Sequence, residues 1–253
     1  MSKDKNYGIC HICGKKCELT FEHIPPKNAL NKYQAKIYNG NELIKLYNGE
    51  PAKYNNLQQG MGKHSLCQQC NNITGVWYAD VYCDIAKEVA FQLHSLKKLK
   101  HGDFVEFKFK EVPILAFLKQ IITMFCSLLP FEEVKRLAFN DFLLDKESNK
   151  INTSLFDVRM YLTPIESGQI LSGISQALIK KDTGVAIANV IDMAVYPFGF
   201  ILNLNPEIEF KYGISIMELF TTSYNDNYNI ELKLMYLERS DKRAPLLFKA
   251  LDD

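Results

Sequence analysis

Ile9-Cys10-His11-Ile12-Cys13-Gly14 and, later in the chain, Leu66-Cys67-Gln68-Gln69-Cys70-Asn71 decide how this sequence is read. Each contains a C-x-x-C, which turns two sulfurs from one tight bend toward a single tetrahedral ion at Zn–S distances of about 2.3 Å. Four thiolates from Cys10, Cys13, Cys67 and Cys70 predict a structural Zn2+ site. Such a site stabilises a module too small to fold by burial alone. The plainer alternative is four buried cysteines. Two such pairs in the most basic and least apolar third of the chain argue against it. Cys17 is redundant for a site with four ligands, and Cys83 and Cys126 lie in apolar helical context and read as core.

Between the pairs runs Leu19-Thr20-Phe21-Glu22-His23-Ile24-Pro25-Pro26, and the second pair is followed by Asn71, Asn72 and Gly75. With these residues the stretch 8–78 resembles the HNH endonuclease family in its zinc-containing form. That family reads C-x-x-C, an acidic residue before His-Ile-x-Pro, then C-x-x-C-Asn with a Gly shortly after. The resemblance implies a ββα-metal fold, a β-hairpin followed by a helix around one catalytic divalent ion, Mg2+ or Mn2+. It assigns the general base to His23, the metal ligands to Glu22 and Asn71, and the bracing of the His-bearing loop to Asn56. The family more often carries Asp where this chain has Glu22. An imidazole suits a base because its ordinary pKa of about 6.5 leaves it neutral near pH 7. Oxygen ligands suit Mg2+, which keeps much of its hydration. Adjacent strand residues point to opposite faces, so Glu22 and His23 serve one phosphate only if the backbone bends, as Pro25-Pro26 allows. Asn71 is also placed near a helix start, where it can cap the helix as well as hold an ion.

Outward from these motifs, residues 27–64 are rich in Asn, Lys and Tyr and read as an insertion loop with limited structure of its own. A helix is expected from Asn72 to about Leu99, with Trp77 as core anchor and Val81, Ile85, Val89, Leu93 and Leu96 on the same stripe. Lys97, Lys98 and Lys100 would complement its C-terminal dipole, and Gly102 would stop it. Residues 1–100 are thus one module, and 101–253 a second, mixed helix-and-strand domain. The overall class expected is α+β. In the second domain, Phe104-Val-Glu-Phe-Lys-Phe-Lys110 alternates like a strand, and Pro113 opens an apolar helix to about Leu129. A further helix starts near Phe131, and strands follow at 156–162, 185–191, 196–203 and 230–237. Asp192, Glu207, Glu209 and Arg239 read as scattered charges.

The chain is 47% apolar and 23% charged, an ordinary globular balance. Its net charge of +1 conceals a split. Residues 1–102 hold 14 Lys against 8 acids, +6, and residues 103–253 hold 16 Lys and Arg against 21 acids, −5. A basic front suits a polyanion, and Lys15, Lys16, Lys27, Lys63 and His64 are candidate nucleic-acid contacts, with solvated surface as the plain reading. The polar start and Lys119 within the most apolar stretch speak for a cytoplasmic protein without a membrane span. The function expected is metal-dependent endonucleolytic cleavage, with DNA as first substrate, in a bacterial or phage defence setting. Residues 101–253 would recognise a regulatory partner or form a homodimer. The alternatives are a non-catalytic zinc module binding nucleic acid or protein, and an RNA-cleaving nuclease.

Overall fold

The computed structural model describes residues 6–96, 98–165, 169–181, 184–240, 246 and 248–249. The first cysteine pair lies in the turn between β1 (Tyr7–Ile9) and β2 (Lys16–His23). Bonds from Cys10 N–H to the Lys15 carbonyl and from Gly14 N–H to the Cys10 carbonyl close this turn, each at 2.9 Å. Gly14 adopts a φ of +72°, and a Cβ there would meet the Phe131 ring at 2.4 Å, so both the turn and its packing require glycine. β2 stops at His23, ahead of the two prolines.

Residues 27–64 are more ordered than expected. They contain β3 (Ala35–Ile37), α1 (Gly40–Tyr47) and β4 (Asn55–Leu57), with β3 antiparallel to β4. Three-residue strands are too short to show a period, which is why the segment reads as loop. Its order comes from local polar ties instead. Asn39 caps α1 by accepting the Glu42 N–H at 2.9 Å, and the Glu42 carboxylate accepts from Lys53 N–H at 2.7 Å. β5 (Gly62–Cys67) then returns beside β2, giving the sheet order β1-β2-β5, and leads straight into α2 (Gln68–Thr74).

That helix begins earlier than Asn72 because Cys67 caps it, its thiol accepting the Cys70 N–H at 3.4 Å. After α2, Gly75–Ala79 form a π-helical turn before α3 (Asp80–Ser95). A π turn inserts an extra residue and rotates the buried stripe. Tyr78 and Tyr82 are therefore buried, and Trp77, the expected anchor, is half-buried. Tyr78 OH donates to the Leu143 carbonyl at 2.8 Å. Farther along, Ile85 and Val89 are buried as the period predicts. The helix stops at Ser95 and not near Leu99, with Leu96 extended at φ −80°, ψ 153°. Of the lysines expected in its last turn, Lys97 lies outside the described residues, and Lys98 and Lys100 follow the helix end.

β6 (Phe104–Val112) leads through Pro113 into α4 (Ile114–Leu128), which is buried along its whole length. Two short helices follow, α5 (Phe131–Arg136) and α6 (Phe139–Leu144). Lys119, inside α4, is tolerated because its Nζ donates to the carbonyls of Phe142, Asp145 and Lys146 at 2.7, 2.6 and 3.1 Å. These include carbonyls that the end of α6 leaves without intrahelical partners. The remaining strands are β7 (Asp157–Leu162), β8 (Ile170–Leu171), β9 (Ser175–Lys181), β10 (Gly184–Val195), β11 (Phe198–Asn203), β12 (Ile214–Ser215) and β13 (Tyr228–Met235). They form a sheet ordered β12-β7-β11-β10-β8, with β9 also on β10, and a separate β13–β6 pair.

The fold is mixed α+β. One buried core runs from Cys10 and Leu66 through α4 to Phe198 and Leu234, with α4 packed against β5 on one side and β10 on the other. Two charges that looked scattered are partners: Arg239 Nη1 lies 2.7 Å from Asp192 Oδ2, both side chains fully buried. Tyr161 OH donates to Asp192 Oδ1 at 2.9 Å and accepts from Arg239. Burial of this pair is compatible with its charges because these bonds satisfy them. Among the described residues no helix is long and apolar enough to cross a membrane.

Candidate metal centre

The ligand atoms of Cys10, Cys13, Cys67 and Cys70 all lie within 4.8 Å of one another, and Cys13 Sγ is 3.9 Å from Cys67 Sγ. A tetrahedron with arms of about 2.3 Å has edges of about 3.8 Å, so the spacing fits a single ion. Cys10 and Cys70 are buried and the other two half-buried; all seven cysteines are free thiols. Cys67 N–H points at Cys10 Sγ at 3.3 Å. The Cys10 thiol is held well below its ordinary range, first by the hydrogen bond from Cys70 and then by backbone contacts, whereas Cys70, the donor in that contact, is pushed up. A soft four-sulfur donor set is the chemistry zinc prefers. Cys17 stays outside the four, its thiol directed to the Lys15 carbonyl at 3.4 Å.

His11, inside the first pair, was not singled out by the sequence. Its Nδ1 donates to the Cys126 carbonyl at 3.0 Å and ties the cysteine turn to α4. Burial holds its pKa below the ordinary value.

The other end of β2 carries Glu22 and His23. Glu22 is 8% exposed, and burial alone raises its pKa to about 8. His23 is half-buried, and its Nε2 lies 3.2 Å from the Gln59 carbonyl. A carbonyl only accepts, so Nε2 carries the hydrogen and Nδ1 is the accepting nitrogen. Burial is the main reason its pKa falls below the usual value, and nearby Lys27 adds to it. The β2–β5 register slips between Thr20 and Phe21, while Phe21 and His23 keep their rings 5.0 Å apart on one face. By alternation Glu22 leaves on the opposite face, so the two side chains flank the end of the strand.

Asn71 lies in the body of α2 and does not cap it. Its Nδ2 donates to Thr20 Oγ1 at 2.9 Å and to the Phe21 carbonyl at 3.3 Å, which ties α2 to β2 just before Glu22.

Asn56 is exposed on β4, opposite Lys36. The bracing contacts expected of it are made by Asn31, which is 1% exposed. Asn31 Nδ2 donates to the Pro25 and Met61 carbonyls at 2.7 and 2.8 Å, and Oδ1 accepts from Met61 N–H at 2.7 Å. Gly60 makes room for it: φ is +100°, and a Cβ would meet the Asn31 carbonyl oxygen at 2.2 Å.

The candidate polyanion contacts fall into two groups. Lys15 and Lys16 are exposed at the cysteine turn. Lys27 and Lys63 are exposed at the His23 end, Lys27 Nζ 3.5 Å from Gln59 Oε1 and Lys63 opposite Glu22 in the register. His64 is exposed with its ring edge on Phe21 at 5.3 Å. No family model, curated protein or solved structure matches this chain.

Proposed function

We propose that this chain is an HNH-type endonuclease that hydrolyses phosphodiester bonds, with DNA as first candidate substrate and Mg2+ or Mn2+ as its catalytic ion. The observation that carries the reading is the pair at the end of β2. A buried carboxyl, Glu22, is followed by a histidine whose Nε2 is held by the Gln59 carbonyl; the two leave β2 on opposite faces, so the reading requires the phosphate to lie across the strand end, where the chain bends at Ile24-Pro25. A zinc module that only bound a partner would need neither residue. The two antiparallel strands β2 and β5 running directly into α2 also support it, because that is the order the ββα-metal resemblance implies.

Glu22 and the Asn71 amide oxygen are the groups that would hold the ion. Burial disfavours a lone negative charge on Glu22, and a bound cation relieves that cost. When bound, the ion polarises the phosphate and neutralises charge on the departing oxygen. His23 Nδ1 takes a proton from the water that attacks phosphorus as the P–O3′ bond breaks, and its Nε2–H, donated to Gln59, supports the resulting imidazolium. Asn31 positions the His23 loop from behind. Lys27 and Lys63 attract the phosphate backbone. In this reading residues 1–100 cut, while 101–253 restrain or direct the cutting through a partner or a second copy.

The test is cleavage of supercoiled plasmid and of circular single-stranded DNA by wild type and His23→Ala, with and without Mg2+ or Mn2+. Metal-dependent nicking by wild type alone supports the reading. Equal cutting by both proteins removes His23 from the mechanism.

A further inference from the structure

The arm made by β3, α1 and β4 has an open face whose composition is unusual for a structural loop. Lys36 stands opposite Asn56 in the β3–β4 register, so the two share one face of the ribbon. Lys36 Nζ lies 4.3 Å from the centre of the Tyr54 ring, and the Tyr38 ring is 5.7 Å from it, which places both rings on that side. Gln34 Nε2 donates to Gln58 Oε1 at 2.7 Å and extends the face toward the root of the arm. Tyr54 is 44% exposed, and Lys36 and Asn56 are exposed. The face thus presents a cation, two aromatic rings and three amides, with no acidic side chain among these six. The segment 27–64 carries six Lys and two Glu, a net +4 (6 − 2). One of those acids, Glu42, is occupied by Lys45 and the Lys53 N–H.

From this we infer that the β3–β4 ribbon is a binding platform for single-stranded polynucleotide, which it leads toward His23. Rings stack on the faces of bases, amides bond to base edges and lysines bind phosphates. A duplex hides its base faces inside the stack, so only an unpaired strand makes use of Tyr38 and Tyr54. The direction follows from the chain: Gln58 is followed by Gln59, whose carbonyl holds His23 at 3.2 Å. Asn56 belongs to substrate contact and not to bracing. The destination of the strand rests on the nuclease reading; the platform itself does not.

The test is fluorescence anisotropy with the full chain, without added divalent ion, using fluorescein-labelled oligothymidylate, oligouridylate and a duplex, each of about 20 nucleotides to exceed a typical site size. Single strands bind more tightly than duplex. Tyr54→Ala weakens that binding about 10-fold and Tyr54→Phe leaves it unchanged, since the ring and not the hydroxyl stacks. Lys36→Ala lowers the slope of log affinity against log salt by about 0.7. The thymidylate and uridylate arms tell DNA from RNA. Zinc content equal to wild type shows that each variant has folded. Wild-type affinity in Tyr54→Ala, a duplex preference, or no binding to any probe overturns the inference. Binding through Tyr54 without cleavage in any metal keeps the platform and removes the nuclease reading. Cleavage with unchanged affinity in Tyr54→Ala does the reverse.

Discussion

The sheet β1-β2-β5 with α2 and the body centred on α4 are held together by different physics. Around the cysteine turns Ile12, Ile24, Met61 and Leu66 are buried together with polar and thiol side chains, Cys10, Glu22, Asn31, Ser65, Cys70 and Thr74. In α4 every side chain from Ile114 to Leu128 is buried, and most are apolar. The first region adds a four-thiol cluster and directed hydrogen bonds to its share of the common core, whereas the second rests on apolar burial. A module with polar ties can keep a mostly buried carboxyl such as Glu22 near its surface, where an apolar core would expel it. It also depends on conditions that leave the α4 body indifferent.

The largest expected effect tests that dependence directly. A structural zinc contributes on the order of 10 kcal/mol or more to the folding of a small module. Cys67→Ser, or a strong chelator, should therefore remove hydrogen-exchange protection from residues 7–74 while α4, β10 and β11 stay protected. Loss of protection everywhere at once would show the two regions to be one cooperative unit, coupled through contacts such as His11 to Cys126.

Next comes His23→Ala, which should lower the cleavage rate by about 100- to 10,000-fold, the range of a general base, with zinc content and nucleic-acid affinity unchanged. Zinc lost along with activity would make His23 part of the staple, and the two ends of β2 would no longer be separable.

What could be read from sequence follows the same division. The cysteine cluster was legible because C-x-x-C is a local geometry that spacing alone describes. Helix α4 was legible because an unbroken apolar run has few other places to go. Asn31 was not, since its partners at Pro25 and Met61 meet only after β2 and β5 have paired. Gly60, required beside it at positive φ, was visible in sequence only as one glycine among several. Tyr78 replaced Trp77 as anchor because the π turn at Gly75–Ala79 shifts a stripe that the 3.6-residue period describes well farther on. Asp192 and Arg239 sit on distant segments, and their pairing has no spacing to detect. Strand β9 alternates half-buried and exposed positions, but Leu178 stands on its exposed side, so Ser175-Gln-Ala-Leu-Ile-Lys-Lys181 shows no period of two in sequence.

Asn31→Ala gives a smaller effect. It takes the donor from the Pro25 carbonyl and the acceptor from the Met61 N–H, and leaves the Met61 carbonyl with the Ile24 N–H alone, a loss of about 2–3 kcal/mol. Denaturant unfolding should show it, with cleavage falling as the His23 loop loosens. Asn56→Ala, exposed on the ribbon, should stay within about 0.5 kcal/mol of wild type. Equal effects would return the bracing role to Asn56.

A pH-dependent effect, no larger than that of Asn31→Ala, probes a place where the α4 body is not indifferent to conditions. Burial lowers the Lys119 pKa from 10.5 to about 8, partly opposed by Asp145. Below pH 8 the group is charged in both folded and unfolded chains, and the full cost of burying that charge is present. Between pH 8 and 10.5 the unfolded chain holds more protons than the folded one, so stability rises with pH, by about 3 kcal/mol at most. Other groups titrate in this window, so the informative quantity is the difference between wild type and Lys119→Met. That variant is less stable throughout, because three carbonyls lose their donor, and the gap should widen as pH rises from 8 to 10.5. A gap that stays constant would mean that Lys119 keeps its proton through this range, held by the carbonyls at the end of α6 more strongly than burial opposes it.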